Sequence, residues 1–151
     1  MKPLFLLLFS FLLGILIAYV LKGDPHLSFN GNLSMALMFC FTAIGHFKFR
    51  KGMTMMLPPA LPAKGAAVFI SGVAEILLGI ALLFPVTRYI AAILLIIMLV
   101  LMLPANIYAA LHHVDYEKGT YDGKGPSYLW FRIPMQLFLV AWLVYFSILR
   151  S

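Results

Sequence analysis

The sequence predicts an all-α protein, a polytopic bundle of membrane-spanning helices, and two observations carry that expectation. Of its 151 residues, 64% are hydrophobic and only 11% are charged, where soluble domains run near about 45–50% apolar and roughly 25% charged. One core of a chain this short cannot hide so much apolar surface from water, whereas a bilayer solvates the outward faces itself. The second observation is the length of the apolar runs. Five of them approach the roughly 20 residues needed to cross a hydrocarbon core.

The first run is Leu4 to Leu21. Lys2 followed by an apolar stretch resembles a secretory signal. The run is long, however, and no small-x-small site precedes Lys22; Ala18-Tyr19-Val20 is a poor candidate. A retained helix is therefore expected, with residues 1–30 forming this helix and its connection and 31–151 the main membrane domain. The second run spans about Gly31 to Phe47, the third Gly65 to Phe84, the fourth Tyr89 to Leu111 and the fifth Tyr128 to Leu149. Tyr19, Tyr89, Tyr108, Tyr128 and Trp130 fall near the predicted helix ends, where an interfacial aromatic belt belongs.

Two connections are informative. The stretch from Gly52 to Pro62 is apolar but contains Pro58, Pro59 and Pro62, so it cannot be regular helix throughout. It is expected to lie in the headgroup region or fold back over the bundle. His112 to Ser127 is polar and rich in Gly and Asp, and reads as a solvated loop. If all five runs span, Lys2, Lys48, Arg50, Lys51, Lys64, Lys118 and Lys124 share one side, against Lys22, Arg88 and Arg150 on the other. The first side is then cytoplasmic, with the N-terminus inside and the C-terminus outside. The expected location is a bacterial inner (plasma) membrane. The net charge of +6 is explained by these helix-flanking residues, and nucleic-acid binding is not expected.

Ionisable residues inside a bilayer are costly and face protein rather than lipid. Glu75 lies about eleven residues into the third helix, roughly 16 Å deep. Arg132 is roughly 6 Å and Gln136 roughly 12 Å into the fifth, on one face. Asn106 is near the cytoplasmic end of the fourth helix and His46 at that end of the second. All five fall in the same half of the membrane. Ser71, Gly72 and Gly79 flank Glu75 at helical spacing, which lets a neighbouring helix approach. Pro104 frees the carbonyl of Val100 and Pro134 that of Trp130, and such carbonyls need partners inside the protein. A polar pocket of His46, Glu75, Asn106, Arg132 and Gln136 is expected, with the helix breaks at Pro104 and Pro134 bordering it. Arg132 has the length to reach inward to Glu75 or outward to headgroups. The bland alternative is a hydrogen-bond network that only holds helices together. Such contacts average about 0.6 kcal/mol, while a midplane charge costs roughly 2.5–3.5 kcal/mol.

Other chemistries find little support. Cys40 is the sole cysteine, so there is no dithiol pair. A bis-histidine haem needs two imidazoles at matching depth, and His46 has no such mate; it reads as a helix-end histidine donating to a nearby carbonyl or carboxylate. His112-His113-Val114-Asp115-Tyr116-Glu117 matches no zinc or calcium spacing, so no metal site is expected. Met53, Met55 and Met56 read as flexible packing. No nucleophile–base pair or phosphate-cradling loop is present.

Several stretches resemble the DoxX-like membrane protein family: Gly45-His46-Phe47, Leu57-Pro58-Pro59-Ala60-Leu61-Pro62, Ser71-Gly72-Val73-Ala74-Glu75-Ile76-Leu77, Leu103-Pro104-Ala105-Asn106 and Trp130-Phe131-Arg132-Ile133-Pro134-Met135-Gln136. Together they cover roughly residues 35–149. The resemblance implies a four-helix core made of the second to fifth helices, with the first helix as an addition, and one site shared by the five polar residues. Members of that family are linked to thiosulfate–quinone oxidoreduction, to respiratory and redox-stress complexes and to receptor assembly in animals, so the resemblance speaks more to fold than to activity. Two functions are expected from it and from the pocket. One is an accessory, quinone- or small-molecule-binding subunit of a membrane redox system. The other is a non-enzymatic assembly factor that engages another membrane protein, or a second copy of itself, within the lipid. A transporter is a distant third, since five helices leave little room for alternating access.

Overall fold

The computed structural model describes residues 2–150. The chain folds into helices joined by short turns and one longer loop: α1 (Lys2–Lys22), α2 (Leu27–Lys48), the short α3 (Arg50–Met55), α4 (Lys64–Ala81), α5 (Pro85–Leu111) and α6 (Leu129–Leu143). A 3₁₀ turn, Gly125–Tyr128, leads into α6, and a π-helical turn, Val144–Leu149, continues it. No β-strand forms among the described residues. Five helices are long and apolar enough to cross a membrane, with α6 and its flanking turns counted as one of 25 residues.

The breaks follow from local backbone chemistry. Asp24 and Pro25 separate α1 from α2, with Gly23 and His26 both at positive φ. Pro58, Pro59 and Pro62 hold the chain out of helix between α3 and α4, and Ala63 takes a left-handed conformation just before α4 begins. Pro85 opens α5 at its first position, where its missing N–H costs nothing and its fixed φ suits the helix. Two expected boundaries move accordingly. α5 starts at Pro85 rather than Tyr89, and α4 stops at Ala81 rather than Phe84. α2 also starts early, at Leu27 rather than Gly31, because Asn30 and Asn32 are absorbed inside the bundle.

α2 is the central helix, packed mainly against α1 and α4 and touching α6. The core gathers Met35, Phe39, Leu82, Leu95, Leu139 and Leu143, all nearly or fully buried. α1 leaves Phe5, Phe9, Leu12, Leu16 and Val20 exposed, as a lipid-facing helix does. It is held by Leu7 in the core and by Phe11, which packs edge-on against Trp142 and Phe146. Lys2 at the start of α1 stands 3.9 Å from Glu117 in the 112–128 loop, so both mark the same end of the bundle. That end also carries α3 and most of the basic residues.

The proline-rich connection folds back on the bundle. The Lys64 ammonium donates to the Leu57 carbonyl at 2.9 Å. Gly52, buried in α3, lies directly against the Tyr116 carbonyl, with no room for a Cβ. The polar loop is also more ordered than a plain solvated connection. Asp115 N–H donates to Thr120 at 2.9 Å and Gly123 N–H to the His113 carbonyl at 2.7 Å. The Asp115 carboxylate accepts from the N–H groups of Glu117 and Lys118.

Candidate functional site

The five polar residues fall into two groups. The first joins α2 to α4. Gly72 on α4 meets the backbone side of His46: a Cβ there would stand 2.8 Å from His46 Cβ and 3.2 Å from Phe47 Cζ. The two helices can touch at that point only because residue 72 has no side chain. The contact brings the His46 ring to Glu75. Nε2 is 3.4 Å from a Glu75 carboxylate oxygen, with both side chains almost fully buried. The other carboxylate oxygen accepts from the Thr42 hydroxyl at 2.8 Å. On the far side of the ring, Nδ1 is 2.9 Å from Ser71 Oγ and 3.2 Å from the Val68 carbonyl. The string Thr42–Glu75–His46–Ser71 thus runs along the bundle axis toward the basic end.

The proton count of this string is constrained. With the Ser71 hydroxyl donating to the Val68 carbonyl at 2.9 Å, its oxygen can accept from Nδ1–H, which also lies 3.2 Å from that carbonyl. Nε2 then either carries a second proton facing a carboxylate or accepts the proton of a neutral glutamic acid. Both arrangements are neutral overall, and they differ only in where one proton sits.

The second group joins α5 to α6. Gln136 and Asn106 are buried, and Arg132 is half-buried. The Gln136 amide donates to the Leu99 carbonyl at 2.6 Å. The bond goes to Leu99 and not to Val100, the carbonyl that Pro104 frees by lacking an N–H. Among the described residues, three enclosed side-chain atoms have no hydrogen-bond partner: Asn106 Nδ2, Arg132 Nε and Gln136 Oε1. Two are donors and one is an acceptor. Arg132 forms no ion pair with Glu75; His46 occupies the carboxylate instead. The Arg132 charge lies close enough to Tyr116 to act on its phenol.

Above the second group, a cavity of about 410 Å³ lies under the 112–128 loop, lined among others by Ala109, Ala110, Tyr116, Lys124 and Tyr128. Burial, reinforced by Tyr128 and Glu117, pushes the Tyr116 phenol up to about 12. Among the described residues, no three His, Cys, Asp or Glu side chains come together as a metal centre would require.

Thr42 carries no charge to mark it in the sequence, and Ser71 enters the sequence pattern only as a small residue beside Glu75. Thr42 precedes His46 by four residues, so the helical period alone places both on one face. Arg88, expected in a connection, is instead buried and donates from Nε to the Leu82 carbonyl at 3.0 Å, capping the end of α4.

Fold and site together define a helical bundle of membrane-length helices with a divided polar interior at one end. Residues 35–147 match the family described as a domain of unknown function, DUF8561, and the chain belongs to that family. No curated protein and no solved structure matches it.

Proposed function

We propose that the protein is an accessory subunit of a membrane redox system and binds a small molecule, a quinone head group by class, between α5 and α6. The observation that carries the reading is the set of enclosed atoms without partners at Asn106, Arg132 and Gln136. Each unmade bond of this kind costs about 1–3 kcal/mol, and a bound molecule with matching groups removes that cost. Quinone carbonyls accept from Arg132 Nε and Asn106 Nδ2, and a reduced ring's hydroxyl donates to Gln136 Oε1. The neighbouring His46–Glu75 pair, with its one shared proton, supplies a group able to take up or release the proton that accompanies reduction. The resemblance to DoxX-like proteins belongs to the same proposal, as do the bacterial plasma membrane and an orientation with the basic end in the cytoplasm, where the excess of Lys and Arg argues for it. The absence of any cofactor motif from the sequence argues for an accessory role beside another membrane protein or a second copy.

The test is to purify the protein in mild detergent and to extract and identify its bound lipids, for the wild type and for Arg132→Ala. Near-equimolar quinone in the wild type and at least about tenfold less in the variant, with both proteins monodisperse, supports the reading. Quinone-free wild-type protein that retains one specific membrane partner overturns it in favour of an assembly factor.

A further inference from the structure

A shallow apolar groove of about 80 Å³ runs between α5 and α6 on the lipid-facing side, walled by Leu99, Val100 and Leu103 on α5 and by Ile133, Gln136 and Leu137 on α6. Gln136 is the sole polar member of that wall. It is 7% exposed, and its Oε1 has no partner. The wall continues into the head-group residues on both helices. Leu99, Leu103 and Asn106 follow one face of α5, and Arg132 stands one turn before Gln136 on one face of α6. The two helices run antiparallel, so Asn106 and Arg132 both lie at the end of the groove nearer the 112–128 loop. The groove itself extends from them toward the middle of the bundle.

We propose that this groove is the tail subsite of the ligand, so that the site takes a chain-bearing amphiphile from the bilayer. Its head group reaches Asn106 and Arg132, and an alkyl or isoprenoid chain lies along Leu99–Leu103 and Ile133–Leu137. The inference rests on the reading of Asn106 and Arg132 as the head-group site. The occupant follows from the lining. Aliphatic walls open to lipid offer nothing to a soluble ion, and a volume of about 80 Å³ has room for part of one chain and not for a ring-bearing head group. Burial from lipid brings no hydrophobic gain, because the chain leaves an equally apolar solvent. Recognition of the tail is therefore a matter of fit, and filling the groove abolishes it.

The test compares two probes on full-length protein in phosphatidylcholine nanodiscs: a decyl-substituted dimethoxy-methyl-benzoquinone and its tail-less analogue. Affinities are expressed per mole of probe in the bilayer, so that partitioning cancels. Leu103→Trp and, as a second variant on the lipid-exposed side, Leu137→Trp fill the groove. Both are expected to weaken the decyl probe by about tenfold or more, the order of an overpacking clash, while the tail-less probe stays within about twofold. If the tail-less probe binds but neither tryptophan variant discriminates against the decyl one, the tail subsite is wrong and the head-group reading stands. If neither probe binds wild-type protein, the head-group reading is wrong and the tail subsite falls with it.

Discussion

At Gly72 a single hydrogen atom in place of a side chain sets the distance between α2 and α4, and through it the His46–Glu75 contact. A methyl group there would press on His46 Cβ at 2.8 Å, an atom fixed to the backbone that cannot swing aside. Gly45, on α2, offers the control. A Cβ there would meet the mobile tip of Met53 at 3.4 Å and the Phe49 ring at 4.0 Å, both ordinary contacts with side chains. Replacing glycine by alanine inside a helix favours the helix by up to about 1 kcal/mol, while overpacking costs about 1–3 kcal/mol. At Gly72 the clash wins. Gly72→Ala is expected to destabilise the bundle by about 1–2 kcal/mol, and Gly45→Ala to be neutral or slightly stabilising. Denaturant titration in detergent measures both, and equal stabilities for the two variants would remove the close approach from the account. The same residues show how far the sequence could be read. His46 and Glu75 could be singled out as costly residues at compatible depths. That Glu75 pairs with His46 rather than Arg132 depends on which helices touch, and the antiparallel depth argument leaves that open.

Among the elements, the prolines were legible and the π-helical turn was not. Pro85 and the Pro58–Pro62 stretch punctuate the chain by their missing N–H groups, a property of the residue type. Pro104 and Pro134 remain inside helices, as membrane helices allow when neighbours supply partners. The turn at Val144–Leu149 has no such signature, because its cause is a distant side chain. Asn32 on α2, fully buried, donates to the Phe146 carbonyl at 3.0 Å and accepts from the Ser147 hydroxyl at 2.6 Å. Ser28 adds a second, longer bond to the same carbonyl, and the Trp142 indole N–H donates to the Gly31 carbonyl at 3.0 Å. This clasp is fully satisfied, unlike the Asn106–Arg132–Gln136 group, and so it reads as structure where the other reads as a site. The difference is measurable. Asn32→Leu leaves the Ser147 hydroxyl and part of the Phe146 carbonyl unpaired and is expected to cost about 2 kcal/mol. Gln136→Leu removes one bond together with an acceptor that had no partner, and should cost about 0.6 kcal/mol or less. Unfolding titrations that rank Gln136→Leu as the worse of the two would reverse these assignments.

At the scale of the whole molecule, the structure joins a helix outside the matched family region to a bundle within it. The family match begins at residue 35, beyond α1, yet α1 packs its Leu7 into the shared core. The Lys2–Glu117 contact ties its start to the loop before α6. An exposed pair of this kind adds little stability, but it fixes geometry: the N-terminal end of α1 and the 112–128 loop lie on one side. This matches five spans, with the turn at Leu82–Phe84 and the start of α5 on the other side, and the proposed orientation puts the loop in the cytoplasm. Cys40 is the sole cysteine, so Cys40→Ala gives a thiol-free background in which one added cysteine reports its own side. Val86 is 90% exposed, and Lys124, also exposed, sits in the loop on the opposite side. In intact cells an impermeant maleimide is expected to label Val86→Cys and to leave Lys124→Cys untouched until the membrane is opened. The reverse pattern would invert the orientation and move the polar site to the outer half of the bilayer. Labelling of both in sealed cells would mean that α5, the one helix between them, does not cross, and the five-span arrangement would fall.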